Sequence, residues 1–159
     1  MLNGRRLCGR ALVVGVLTLA AAAISGNAGA APQNMADGRL AVHGYDVVAY
    51  FTLHRPLKGV AAYEATYRGV TYRFASTVHR TAFLARPEKF VPQYGGYCAW
   101  SMRTGQRADV DPAAWEIVGG RLFLMRGRDE RSAWMKDMPA ITAIADGVWE
   151  RLVTAGSDP

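Results

Sequence analysis

The sequence predicts a small α+β protein: a single domain with two β-hairpins and several short helices. Two separate stretches alternate apolar and polar residues on either side of a tight glycine-containing turn. Between and after them lie runs with helical spacing and helix-start residues. The 159-residue chain begins with a leader, and the remaining length is enough for one compact core.

The leader is residues 1–30, and we interpret it as a cleaved signal peptide. Arg5, Arg6 and Arg10 precede an uncharged apolar run at 11–24, and the small residues at 28–30 fit a signal peptidase site. The apolar run is shorter than the roughly 20 residues that span a bilayer. The sequence therefore predicts cleavage near Ala30, a soluble periplasmic or secreted protein, and no membrane insertion after cleavage.

Residues 31–38 are expected to be a disordered lead-in, and residues 39–155 to form the domain. Removing the leader removes three arginines, so Lys+Arg falls from 19 to 16 while Asp+Glu stays at 13. The net charge of +6 thereby falls to +3. So small an excess, spread along the chain, does not predict a nucleic-acid partner.

The first element of the domain is the apolar run at 47–51, which we expect to be a buried strand or extended segment. His43 and Asp46 stand on either side of the Gly44 bend, so both side chains can turn towards one site. Alternatively, Asp46 caps a local turn and His43 is solvated.

The first hairpin is predicted at 61–74, where tyrosines and other apolar residues alternate with polar ones around Arg68-Gly69. Ser76 can cap a helix at 77–85 that carries His79 and buries Val78, Ala82, Phe83 and Leu84. Pro87 begins a further turn at 87–90. We expect one core between the hairpins and this helix, formed by Tyr63, Tyr67, Tyr72, Phe74, Phe83 and Trp115.

The second half of the chain is predicted to contain a short helix within 97–103, an extended stretch at 108–112 and a second hairpin at 115–125. Gly119-Gly120 provides the hairpin turn. Two helices follow, at 129–138 and from Pro139 onwards. The apolar positions of the last helix are Ile141, Ile144, Ala145, Val148, Trp149 and Leu152.

Cys98 is the only cysteine that remains after the leader is removed, because the other is Cys8. It follows the Gly95-Gly96 bend and cannot form an internal disulfide in the mature chain. An exposed thiol is a liability in an oxidising compartment. Cys98 is therefore expected to be buried, to bind a metal, or to pair with an outside partner.

Several runs resemble the YHS-domain family. They are YRGVTYRFAS at 67–76, His79 with Phe83, and PEKF at 87–90. The runs GYDVVAYF at 44–51, QYGGYCA at 93–99 and DPAAW at 111–115 are similar to the exported bacterial branch of that family. The resemblance implies a YHS-like fold for residues 39–155. It also implies metal binding, since other YHS modules carry two cysteines at the positions that Ala75 and His79 occupy here.

The candidate metal site consists of Cys98, His79, His43 and Asp46, with copper or zinc as the ion. Thiolate and imidazole are suitable ligands for both metals. The partners would be the metal ion and a metal-handling or thiol partner protein. Whether the chain is an enzyme stays open. The alternatives are thiol-based redox or catalytic chemistry at Cys98, a partner-binding module without chemistry, or a buried inert Cys98.

Overall fold

The computed structural model describes residues 32–35 and 39–155, so the leader and its cleavage site lie outside the described residues. The elements in chain order are β1 (Leu40–Ala41), α1 (Val47–Thr52), β2 (Val60–Tyr67), β3 (Val70–Phe74), α2 (Thr77–Ala85), α3 (Pro87–Phe90), α4 (Ala99–Met102), β4 (Asp111–Val118), β5 (Arg121–Met125), α5 (Arg128–Lys136) and α6 (Met138–Thr154). Short 3₁₀ segments lie at Val42–Gly44 and Gln93–Gly96. The chain is thus an α+β domain, as the sequence predicts.

Both predicted hairpins are confirmed. β2 and β3 pair antiparallel from Tyr67 opposite Val70, and β1 adds to β3 in parallel, which gives the sheet order β1-β3-β2. β4 and β5 form the second sheet, with Val118 opposite Arg121. Gly69, Gly119 and Gly120 have positive φ, the conformation that a two-residue hairpin turn requires.

Residues 47–51, expected to be a buried strand or extended segment, are instead part of α1. They are buried as predicted, since Val47, Val48, Ala49 and Tyr50 are all 0% exposed. A short run that is apolar on every side does not distinguish a buried strand from a buried helix. The helix begins here because the Asp46 carboxylate caps its first turn.

The helix after Ser76 is confirmed, but its predicted buried face is partly wrong. Phe83 is buried among the rings of Tyr67, Tyr72 and Phe74. Val78 and Leu84 are 72% and 51% exposed, and Ile144 of α6 is 55% exposed. Phe83 faces the hairpin and His79 faces α1, whereas Val78 and Leu84 lie on a part of the helix surface that stays exposed.

The core fills the space between the two sheets and the helices. Tyr72, Phe74 and Phe83 are fully buried in it, while Tyr63, Tyr67 and Trp115 are partly buried and pack against it. The largest fully buried side chains also include Trp134, Phe123, Met102, Leu122 and Leu124. Within the described ranges no helix is long and apolar enough to cross a membrane.

Residues 32–35, for which the sequence predicts disorder, make specific contacts with the domain. The backbone N–H of Asn34 donates to the carbonyl of Gly95 at 2.8 Å, and the Tyr97 hydroxyl donates to the carbonyl of Gln33 at 3.0 Å. Gly95 permits the approach, since a Cβ at this position would lie 2.2 Å from the carbonyl oxygen of Pro32. The beginning of the described chain is therefore fixed against the 3₁₀ segment before Cys98.

Candidate functional site

Asp46 is the most deeply buried charged side chain among the described residues, with 0% exposure. Its Oδ1 accepts the backbone N–H groups of Val48 at 2.9 Å and Ala49 at 3.3 Å, as expected of a helix N-cap. Its Oδ2 accepts the N–H of Ala75, just after β3, at 2.8 Å. The carboxylate thus joins the start of α1 to the end of the first hairpin.

His79 lies against this carboxylate. Ser76 caps α2 by accepting the N–H of His79 at 3.2 Å, which places the imidazole on the first turn of the helix. Nδ1 of His79 is 2.6 Å from Oδ2 of Asp46, and the His79 side chain is 14% exposed. The two residues are 33 positions apart in the chain, and the packing of α2 against α1 brings them together.

The hydrogen bonds determine which nitrogen of His79 faces outwards as a base. Because a carboxylate only accepts, Nδ1 carries a proton and donates it to Asp46. In the neutral imidazole the lone pair is therefore on Nε2. Nε2 is 3.2 Å from the hydroxyl of Thr52, an exposed residue at the end of α1.

Thr52 can satisfy this nitrogen in either protonation state. Its hydroxyl lies 3.1 Å from the carbonyl of Val48 as well as 3.2 Å from Nε2. It can donate to Nε2, or it can accept from an Nε2–H and donate to Val48. Asp46, His79 and Thr52 therefore form a continuous polar chain from the core to the surface.

His43 belongs to a second histidine–aspartate pair on another part of the surface. Its Nε2 is 3.0 Å from Oδ1 of Asp109, and the side chains of His43 and Asp109 are 24% and 57% exposed. Asp109 also accepts from the Asn34 side chain and from the N–H of Val110, both at 2.8 Å. Partial burial would raise the pKa of Asp109, but the bonds from Asn34, Val110 and His43 outweigh it and lower the pKa.

Cys98 is buried, with 0% exposure, at the start of α4. Its N–H donates to the carbonyl of Ala108 at 2.9 Å, and its Sγ accepts the backbone N–H of Arg126 at 3.2 Å. A cavity of about 420 Å³ lies beside these partners, lined by Ala108, Asp109, Val110 and Arg126. The sulfur therefore lies one layer beneath the wall of this cavity.

The metal centre expected from Cys98, His79, His43 and Asp46 does not assemble as a set. The structure joins His79 to Asp46, His43 to Asp109, and Cys98 to the backbone of Arg126. In residues 32–35 and 39–155, no three or more His, Cys, Asp or Glu side chains form a group that could hold a metal ion. The arrangement thus supports His79 as a single imidazole ligand, and Cys98 has its own, separate hydrogen-bond partners.

Sequence reasoning missed three partners of these residues: Thr52, Asp109 and the N–H of Arg126. Asp109 lay within the predicted acidic, extended stretch, but nothing in the sequence linked it to His43, 66 positions away. Thr52 follows an apolar run and gave no signal of its own. The Arg126 contact uses only the backbone, which carries no sequence signature.

Comparisons with known proteins add no further support. No protein-family model matches the chain, and no curated protein and no solved structure matches it significantly. The resemblance to the YHS-domain family therefore stays a prediction from the motifs quoted above.

Proposed function

We propose that this chain is an exported YHS-type domain that binds a transition metal ion, copper or zinc, through Nε2 of His79. The observation that carries the proposal is the 2.6 Å contact between Nδ1 of His79 and the buried Asp46 carboxylate. Histidines that ligate metals usually donate their other ring N–H to a carboxylate or carbonyl, which fixes the ring and strengthens the ligand. His43 also bonds a carboxylate, but Asp109 is 57% exposed, so of the two candidate histidines His79 has the buried and fixed partner.

The supported ligand set consists of a single protein side chain. A structural zinc site usually has four protein ligands and a catalytic one three. With one imidazole presented by the described residues, the remaining ligands would come from water or from a second protein. The proposed role is therefore transient metal handling together with a partner protein, and we expect copper to bind more tightly than zinc, in line with the usual order of divalent affinities.

The test is calorimetric titration of the exported protein, purified free of metal, with Cu²⁺ and Zn²⁺. We expect one ion per chain, lost in His79→Gln and retained in Cys98→Ala. His43→Asn and His54→Ala are matched histidine controls and should bind normally. Thr52→Val removes the hydroxyl beside Nε2 and should bind at least as tightly. Circular dichroism establishes that each variant is folded.

Two outcomes would overturn the metal proposal. One is full binding in folded His79→Gln. The other is loss of binding in Cys98→Ala, which would restore the cysteine-based site that the sequence suggested. Asp46→Asn should bind metal about 10–100-fold more weakly than wild type, because that is the typical effect of losing the carboxylate that supports a metal-binding histidine.

A second candidate is thiol chemistry at Cys98, favoured by the N–H that Arg126 directs at the sulfur from 3.2 Å. The reactive form of a cysteine is the thiolate, whose sulfur can accept a hydrogen bond from such an N–H. In this scheme the thiolate attacks a partner disulfide, forms a mixed disulfide and releases the partner's other sulfur as a thiolate. Because Cys98 is fully buried, the reaction requires the wall formed by Ala108 and Arg126 to open.

Incubation with glutathione disulfide tests this candidate. The thiol proposal predicts one glutathionyl adduct on the folded protein by mass spectrometry, and none on Cys98→Ala. An adduct that forms only after unfolding in urea would identify Cys98 as an inert core residue.

Export is part of the proposal and has its own test. The leader motifs at 1–30 support it. N-terminal sequencing of the protein recovered from the periplasm or medium should begin near Ala31. Recovery of chains that begin at Met1, or recovery from membranes alone, would contradict export by cleavage.

A further inference from the structure

A small aromatic-lined cavity lies away from both histidine–aspartate pairs. It has a volume of about 120 Å³ and is bordered by the turn of the first hairpin, the 3₁₀ segment Gln93–Gly96 and α6. The residues that matter for the argument are Tyr67, Arg68, Tyr72, Tyr94 and Trp149. It contains no residue of the proposed metal site, so an inference drawn here is independent of that proposal.

The Tyr72 hydroxyl is reached from the cavity and has no protein partner among the described residues. Tyr72 is 3% exposed and lines the cavity, yet within the described ranges its hydroxyl makes no hydrogen bond to protein. The hydroxyl of a largely buried tyrosine usually has a hydrogen-bond partner, and a ligand in the cavity can supply it. Burial raises the pKa of Tyr72, so the hydroxyl keeps its proton and can donate it.

The other tyrosines at the cavity are already paired. The Tyr94 hydroxyl donates to Asp146 at 2.9 Å, and the Tyr67 hydroxyl donates to Glu88 at 2.7 Å. Their rings therefore serve as apolar walls, together with Trp149, Val91 and Pro92. Among the described residues that line this cavity, Tyr72 is the tyrosine whose hydroxyl is left for a ligand.

Arg68 provides a positive charge at the same cavity. Its guanidinium lies over the Tyr67 ring, 5.1 Å from the centroid, and its charge also reaches Glu88, the carboxylate that accepts from the Tyr67 hydroxyl. No acidic residue lines the described wall. The polar groups available to a ligand are thus the Tyr72 hydroxyl, a hydrogen-bond donor, and the Arg68 guanidinium, a cation. Together they favour a ligand with an anionic acceptor group.

The volume restricts the apolar part of the ligand. A cavity of about 150 Å³ lined by apolar side chains holds one benzene ring. At about 120 Å³ this cavity is close to that size, and its mouth at the exposed Arg68 leaves room for a substituent outside.

We propose that this cavity binds a small monocyclic aromatic carboxylate. The ring packs against the edge-to-face pair of Tyr94 and Trp149, and the carboxylate accepts hydrogen bonds from the Tyr72 hydroxyl and the Arg68 guanidinium. The Tyr72 hydroxyl has no other partner within the described residues, so the ligand satisfies it and adds a second carboxylate beside Arg68, whose charge already reaches Glu88.

Benzoate is the probe for a titration followed by ¹H–¹⁵N NMR, in buffer with EDTA so that metal plays no part. We expect saturable shifts at residues 94–96 and at the Trp149 indole, with a Kd of about a millimolar or tighter. Tyr72→Phe keeps the cavity shape and removes one hydroxyl, and it should weaken binding at least about tenfold because the lost bond is to a charged group. Arg68→Gln should weaken it similarly, whereas Tyr63→Phe, which removes a tyrosine hydroxyl outside the cavity lining, should bind like wild type.

Control ligands separate the ring from the charge. Acetate, which lacks the ring, and benzamide, which lacks the charge, should both bind at least tenfold more weakly than benzoate. Equal binding of benzamide, unchanged benzoate affinity in Tyr72→Phe, or shifts confined to another surface would each overturn the proposal. So would the absence of saturation in wild type.

Discussion

The domain contains two histidine–aspartate pairs with nearly the same chemistry and very different surroundings. Asp46 and His79 are 2.6 Å apart, with side-chain exposures of 0% and 14%. Asp109 and His43 are 3.0 Å apart, with exposures of 57% and 24%. Three backbone N–H groups from two parts of the chain also bind Asp46, whereas Asp109 binds the N–H of its own neighbour and the side chain of Asn34.

The two pairs have the same residue types. Burial and the number of hydrogen-bond donors around the carboxylate therefore decide how firmly each histidine is held and how much each pair stabilises the fold. A buried carboxylate with several fixed donors holds its histidine in one orientation, and removing it leaves those donors unpaired. An exposed pair is screened by water and contributes little to stability. On this basis the imidazole of His79 is held in a fixed orientation, whereas His43 forms a surface contact.

The largest expected effect comes from removing the buried carboxylate. Asp46→Ala eliminates a helix cap and breaks a buried pair, so we expect the free energy of unfolding to fall by about 3–5 kcal/mol. The matched variant Asp109→Ala should cost less than about 1 kcal/mol, because its pair is exposed. Urea denaturation followed by circular dichroism measures both. Similar losses for the two variants would remove the distinction between the pairs.

Substitution of the two histidines should lower the free energy of unfolding in the same order, with the larger loss at His79, but by smaller amounts. His79→Ala leaves Asp46 with its three backbone donors, so we expect a loss of about 1–3 kcal/mol, less than for Asp46→Ala. His43 has a φ of 51°, which asparagine tolerates, and His43→Asn should stay within about 0.5 kcal/mol of wild type. The same denaturation experiment applies, and a larger loss for His43→Asn than for His79→Ala would reverse the assignment.

The smallest expected effect is the pH dependence of the stability that the exposed His43–Asp109 pair contributes. The pKa of Asp109 is lowered from its ordinary 3.8, so its ionised form stabilises the fold. This contribution is fully present above the unfolded pKa and is lost as the pH falls through the folded pKa. The stability difference between wild type and Asp109→Asn should therefore be constant near neutral pH and shrink below about pH 4. A difference that grows on acidification would mean that the pKa is raised.

Local patterns in the sequence were sufficient to predict most of the fold. The two hairpins follow from alternation and from turns that need positive φ, and the α2 helix follows from the Ser76 cap. The α1 helix was missed because residues 47–50 are buried on all sides and show no helical period. Val78 and Leu84 were assigned to the core because apolarity does not reveal which side of a short helix meets a neighbour.

The candidate site could be predicted only in part. Asp46 and His79 were both nominated, and the alternative role of Asp46 as a local cap is also confirmed. Their contact depends on how α2 packs against α1, which no short spacing encodes. Cys98 was grouped with them for its chemistry, but its sulfur contacts a backbone N–H instead.

The central claim is that Nε2 of His79 is the prepared metal ligand, and histidine-ring NMR tests it most directly. The chain has only three histidines, His43, His54 and His79, so long-range ¹H–¹⁵N spectra can assign every ring. On addition of Zn²⁺ to the metal-free protein, the account predicts that Nε2 of His79 shifts while its Nδ1 keeps the proton donated to Asp46. A zinc-dependent shift at His43 or His54 with His79 unchanged, or no shift at any ring, would contradict it.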